Sequence, residues 1–175
     1  MIPTKDAEEF VIRLAGKAIE EIEDAEAEQR RHRIRREFWA KVIDAMAERS
    51  DLYRNISAGT SSWLSAATGV RGIRLNFHAT RNYASANLYI DRGDRNENRR
   101  IFDALFSQRQ AIEADFGGEL IWERVDDGQF SRVKAEAEGN IYDQERWKEM
   151  IDYMTDAMVR LEKAIKGRVR QVVAG

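Results

Sequence analysis

The sequence predicts an α+β domain: a mostly antiparallel sheet of about five strands in the order α-βββ-α-ββ-α, with long N- and C-terminal helices. Three observations carry this prediction. Two central stretches alternate apolar and polar residues with the period of a strand, and a later pair of apolar stretches surrounds an Asp-Asp-Gly turn. At both ends of the chain apolar residues recur every three or four positions. A run of strands enclosed by helices, without strict βαβ alternation, is the pattern of an α+β domain.

From Lys5 to Arg49 there is no proline, and Gly16 is the single weak breaker. Phe10, Val11, Leu14, Ala18, Ile19 and Ile22 keep helical spacing, as do Ile34, Phe38, Trp39, Val42, Ile43 and Met46. Between the two sets lies a stretch that is nearly all charge and alanine. One continuous helix would reach about 65 Å at 1.5 Å per residue, wider than a small domain. The helix therefore either breaks near residues 23–33 or projects as an arm over residues 1–29, ahead of a single domain at 30–168. An apolar stripe on an arm needs a partner, most simply a second copy of the chain, so a homodimer through the long helices is expected.

A polar connection over residues 50–62 leads to three strands. Trp63–Ala67 is the weakest signal. Ile73–Ala79 sets Ile73, Leu75 and Phe77 against Arg74, Asn76 and His78, and Ala84–Asp91 sets Ala84, Ala86, Leu88 and Ile90 against Ser85, Asn87, Tyr89 and Asp91. If both apolar sets face the core, paired residue numbers must sum to an odd total. A tight loop near Thr80–Tyr83 then sets Asn76 opposite Asn87, Arg74 opposite Tyr89 and His78 opposite Ser85. Asp94 with Glu97 three residues on reads as a capping box, opening one helix through Ile101, Leu105, Ile112 and Phe116 to Gly117-Gly118. Two strands around Asp126-Asp127-Gly128 form a hairpin. A last helix, capped by Asp143, carries Trp147, Ile151, Met154, Met158, Leu161 and Ile165 at heptad spacing, followed by a tail at 169–175.

With 175 residues, 43% hydrophobic and 34% charged, the chain has material for one core under a highly charged surface. No apolar run approaches the roughly 18 residues of a spanning helix, and no apolar leader follows Met1, so a cytoplasmic protein without membrane contact is expected. The chain has no cysteine, which excludes disulfides and thiolate chemistry. Net charge is −2, yet residues 51–110 carry nine basic residues, all arginine, against five acidic ones. Arginine's planar fork suits phosphate and carboxylate recognition.

No catalytic signature is present. His32 and His78 are the two histidines, on different elements and without a ligand-spaced partner, so neither a metal site nor a cofactor is expected. There is no phosphate-binding glycine loop and no nucleophile elbow. The element order α-βββ-α-β is also that of restriction-endonuclease-like nucleases, which hold metal with an acid on one strand and an acid-x-lysine on the next. Here the second strand offers no carboxylate, and Asp91 is followed two residues later by Gly93 where lysine would be needed. Asp91 and Glu123 are the two strand-borne carboxylates that a degenerate or atypical nuclease could use. The stronger expectation is a binding surface on the polar face of the second and third strands: Arg74, Asn76, His78, Asn87 and Tyr89, with Arg71 and Arg81 at its ends. Such groups read phosphates, sugars or unpaired bases. The Arg-rich stretch 30–36 could track phosphates, but glutamates within i−4 reach make a solvated helix the plainer reading.

Four ordered blocks, "RREFW" (35–39), "IDRGDRNENRRIFDAL" (90–105), "IEADFGGELIWERV" (112–125) and "IYDQERWKEMIDYMTDAMVRLEKA" (141–164), resemble the domain of unknown function family 4268 across roughly residues 30–168. The resemblance carries no catalytic residues. It implies a prokaryotic accessory domain, found alone or behind nuclease-like regions, in nucleic-acid metabolism or defence. The expected function is therefore a non-enzymatic interaction domain that self-associates, with nucleic acid or a nuclease-type protein as its partner.

Overall fold

The computed structural model describes residues 4–175; the first three residues of the expected arm lie outside the described residues. Helix α1 runs without interruption over Lys5–Ala47, with the Thr4 hydroxyl accepting from the Ala7 amide as N-cap. From residue 4 to Arg31 it is exposed apart from Ala27, and its first buried residues are Phe38 and Trp39. Strands β1 (Trp63–Ala67), β2 (Ile73–Ala79) and β3 (Tyr83–Ile90) follow, then helices α2 (Arg95–Phe106) and α3 (Arg109–Phe116). Strands β4 (Ile121–Glu123) and β5 (Ser131–Glu138) precede a short 3-10 turn at Gln144–Arg146 and helix α4 (Trp147–Ala174). The five strands form one antiparallel sheet in the order β1-β2-β3-β5-β4.

The β2–β3 register is the one the alternation dictates: Arg74 pairs with Tyr89, Asn76 with Asn87 and His78 with Ser85. One sheet face gathers Leu64, Ala66, Ile73, Leu75, Phe77, Ala84, Ala86, Leu88, Ile90 and Val133, all buried. Helix α4 packs along β3 and β2 on this face, with α1, α2 and α3 packed against α4 in turn. Every heptad residue expected on α4 is buried, and Phe38 of α1 meets Trp147 edge-on at 5.3 Å. The Tyr53 hydroxyl donates to the Leu75 carbonyl at 2.7 Å beneath this layer.

Five local expectations are corrected. The single helix expected through Phe116 is two, because the Ser107 hydroxyl donates back to the Ala104 carbonyl at 2.7 Å and the Gln108 amide bonds Leu105 in a tighter turn. The capping box is half formed. Asp94 accepts from the Glu97 amide, but the Glu97 carboxylate turns to Arg100 at 2.8 and 2.9 Å. Asp143 caps the 3-10 turn, accepting from the Glu145 amide, and α4 starts after it. Strand β4 is shorter than its apolar run because Arg124 leaves the ladder to pair with Asp103 at 2.9 Å. At the far end α4 continues through the expected tail to Ala174, burying Val169.

Candidate binding face

All four helices stand on the apolar side of the sheet, so the polar side is open. Alternation sends every second residue of β1, β2, β3 and β5 to this side. The strand order then decides which of them meet. Ser65 of β1 lies opposite Asn76, Asn76 opposite Asn87, and Asn87 opposite Lys134 of β5. One row higher, Arg74, Tyr89, Arg132 and Glu123 line up across four strands.

A concavity of about 600 Å³ opens in the middle of this side. Its floor is the Asn76–Asn87 pair. Asn87 is 3% exposed, and among the described residues no donor reaches the amide oxygen of either asparagine. A buried amide oxygen without a partner costs roughly 1–3 kcal/mol, and natural structures leave few of them. The walls are aromatic and cationic. Trp63, more than half exposed, stands on the β1 edge, and on the other side Phe130 stacks on Tyr89 with ring centroids 5.1 Å apart. Arg132 lies over the Phe130 ring at 5.2 Å, and Arg74 is held by the Ser65 hydroxyl.

His78 closes one end of the concavity. Its Nδ1 meets the Tyr83 hydroxyl at 3.1 Å and its Nε2 meets the Ser62 hydroxyl at 3.3 Å. Burial pushes its pKa below the usual imidazole range, and the charges of Arg132 and Lys134 push the same way. The ring is therefore neutral near pH 7. One ring nitrogen carries the proton and donates to its hydroxyl partner, and the other accepts. Burial, with the nearby Asp91 charge, raises the Tyr89 phenol.

Of the residues expected to bind, Arg74, Asn76, His78, Asn87 and Tyr89 all line this concavity. Arg71 and Arg81 do not. Arg71 sits in the β1–β2 turn, where its carbonyl accepts from Arg92, and Arg81 lies beyond the opposite end against Tyr142. Sequence reasoning missed Trp63, Ser65, Phe130 and Arg132. The signal for Arg132 was present, since "SRVKAEA" alternates too, but nothing local says that β5 lies beside β3.

The two carboxylates expected as nuclease candidates, Asp91 and Glu123, do different structural work, and Asp91 falls just beyond the end of β3. Asp91 accepts from the Gly93 amide and shapes the turn after β3. Glu123 bonds Arg132 at 2.8 Å through one oxygen and Lys134 at 2.9 Å through the other. Burial works against its ionisation, but the bond from Lys134 and the charge of Arg132 outweigh it and hold the carboxyl below its ordinary range. Lys134 Nζ also reaches Glu136 at 2.7 Å, so one ammonium bridges two carboxylates on adjacent strands. Among the described residues no three His, Asp or Glu side chains group as a metal site would need.

A family model, Domain of unknown function (DUF4268), matches residues 34–169. The chain belongs to this family. Comparison with curated proteins and with solved structures gives no match. The DUF4268 match takes in the whole sheet and the concavity, and it begins on α1 just before the helix enters the core. Among the described residues no helix is long and apolar enough to cross a membrane.

Proposed function

We propose that this DUF4268 chain is a non-enzymatic accessory domain that binds single-stranded nucleic acid across the open side of its sheet. The observation that carries the reading is the Asn76–Asn87 pair: two partnerless amide oxygens at the floor of a concavity walled by Trp63, Tyr89 and Phe130. Unpaired bases offer π-faces to aromatic side chains and amide or amino edges to asparagine, while Arg74 and Arg132 meet the backbone charge. A duplex offers neither exposed faces nor edges to a sheet of this width. Anisotropy titrations with labelled single-stranded DNA and RNA test the reading. Trp63→Ala should weaken binding about tenfold or more, since a base–aromatic stack is worth roughly 1–3 kcal/mol. Equal affinity for single strands in wild type and Trp63→Ala, or no binding at all, overturns it.

The same chain is proposed to self-associate through the first half of α1. Phe10, Val11, Ile12, Leu14, Ile19 and Ile22 are each more than half exposed on a helix that nothing among the described residues covers there. The occupant that fits is a second copy, apolar stripe against apolar stripe, since Val11, Leu14, Ala15, Ala18, Ile19 and Ile22 share one side of the helix.

One observation favours a second reading, an atypical nuclease-like domain acting on nucleic acid. The Glu123–Lys134–Glu136 group places two carboxylates and an ammonium on neighbouring strands beside the concavity. Cleavage of oligonucleotides with magnesium or manganese, abolished by Glu123→Gln, would establish that reading. Intact substrates across several sequences and both metals would dismiss it.

A further inference from the structure

Beyond the His78 end of the concavity lies a second, smaller recess of about 330 Å³, between α1 and the β2–β3 loop. Three arginines line it: Arg31 and Arg35, one turn apart on α1, and Arg81 from the loop. Among the described residues none of the three lies within ion-pair distance of a carboxylate. Arg92, Arg100, Arg124, Arg132, Arg160 and Arg168, by contrast, each hold an acid. Arg35 donates one Nη to the Thr60 carbonyl at 3.2 Å, while its Nε is buried with no acceptor among the described residues. Guanidiniums of Arg35 and Arg81 both lie over the Tyr142 ring, at 5.9 and 5.4 Å, which fixes their planes without neutralising them.

Two hydroxyls complete the recess. Thr80 Oγ1 already accepts from the amides of Asn82 and Tyr83, so what it has left is its O–H. The second hydroxyl is that of Ser62, whose Oγ lies 3.3 Å from His78 Nε2. No carboxylate lines the recess. Unneutralised guanidiniums beside two hydroxyls, with no acid to compete, are the recognition chemistry of a phosphate.

We infer that Arg31, Arg35 and Arg81, with the Ser62 and Thr80 hydroxyls, form a phosphate-binding subsite at the α1 end of the sheet. The Ser62–His78 bond joins it to the base-binding concavity, so a strand lying on the sheet delivers a backbone or terminal phosphate to it. That source rests on the single-strand reading proposed above; a free phosphate is the other source of the same chemistry.

The test combines two exposed substitutions, Arg31→Gln and Arg81→Gln, which leave the partly buried Arg35 and its packing intact. Oligonucleotide affinity is measured across a salt series in wild type, the double variant and Trp63→Ala. The double variant should bind about tenfold more weakly at low salt, and its slope of log K against log salt should be shallower by about 1.4, the value for two phosphate contacts on a single strand. Trp63→Ala should lose affinity with its slope unchanged. An unchanged slope and affinity in the double variant, with Trp63→Ala still impaired, overturns the subsite and leaves the sheet reading standing. If no oligonucleotide binds the wild type, titration with inorganic phosphate decides. Saturable binding that the double variant lacks establishes a site for free phosphate, and absence of phosphate binding in the wild type overturns the subsite.

Discussion

Two buried polar groups one strand apart illustrate opposite uses of hydrogen bonding. The Tyr53 hydroxyl is buried, bonded to the Leu75 carbonyl, and its pKa is pushed well above the ordinary phenol range by burial. Tyr53→Phe should cost about 0.5–1.5 kcal/mol in urea unfolding, the net contribution of one buried hydrogen bond. Asn87 is as deeply buried, yet its amide oxygen has no protein partner. Asn87→Leu should therefore leave the urea midpoint unchanged or raise it, while single-strand affinity falls. A substitution that improves stability and removes binding separates a binding group from a structural one.

His78 gives the pH dependence at the same scale. Its folded pKa lies below the unfolded value of about 6.5, with burial the largest cause. The unfolded state then takes up the proton first as pH falls. The stability contribution of neutral His78 is complete above pH 6.5 and is lost as pH falls from there through the folded pKa. Unfolding midpoints measured down this range should drop for wild type, and His78→Gln should drop less. Sequence reasoning named His78 as a member of the polar face. It could not foresee that Ser62 and Tyr83 would bracket its ring, because Ser62 lies in an irregular segment whose path no periodicity reports.

At the scale of elements, what alternates was legible and what depends on a single side chain was not. Strands β2 and β3 and the stripe of α4 were readable because burial repeats at a fixed period over several turns or pleats. The break between α2 and α3 hangs on one serine and one tightened turn, and the shortening of β4 on the exit of Arg124 to Asp103. Neither leaves a periodic trace. One turn carries a sharper constraint. Gly72 has φ +80°, and a Cβ there would lie 2.5 Å from the Asp91 carbonyl oxygen and 2.8 Å from the Arg92 Cα. Gly72→Ala combines a left-handed backbone with a collision against backbone atoms, and should destabilise by about 2–3 kcal/mol or more. Thermal melts of this variant beside Gly93→Ala, which has a similar φ but open space at the added carbon, separate collision from backbone strain.

For the whole molecule, the sequence left open whether α1 breaks or projects, and the structure resolves it as one helix with a bare first half. Exposed apolar side chains on such a projection account for the proposed pairing. Removing residues 1–28 deletes the stripe and leaves Phe38, Trp39, Val42 and Met46 in the core. Light scattering should then report half the full-length mass, with the melting temperature of the body little changed at equal protomer concentration. The same number of chains per particle before and after deletion would refute pairing through α1. The pairing of β5 with β3 was also out of reach of the sequence. It joins residues about 50 positions apart, and that pairing brings Arg132 and Phe130 to the concavity.

The position of α4 has a consequence for how the chain comes to be folded. This helix covers the apolar side of β2 and β3, yet it is synthesised after every strand of the sheet, and its buried residues extend to Val169. Until Trp147 and the turns after it have left the ribosome, Ile73, Leu75, Phe77, Leu88 and Ile90 have no lid. A nascent or truncated chain ending before α4 thus presents a hairpin with a bare apolar face, the kind of surface that chaperones hold and that aggregates when they do not.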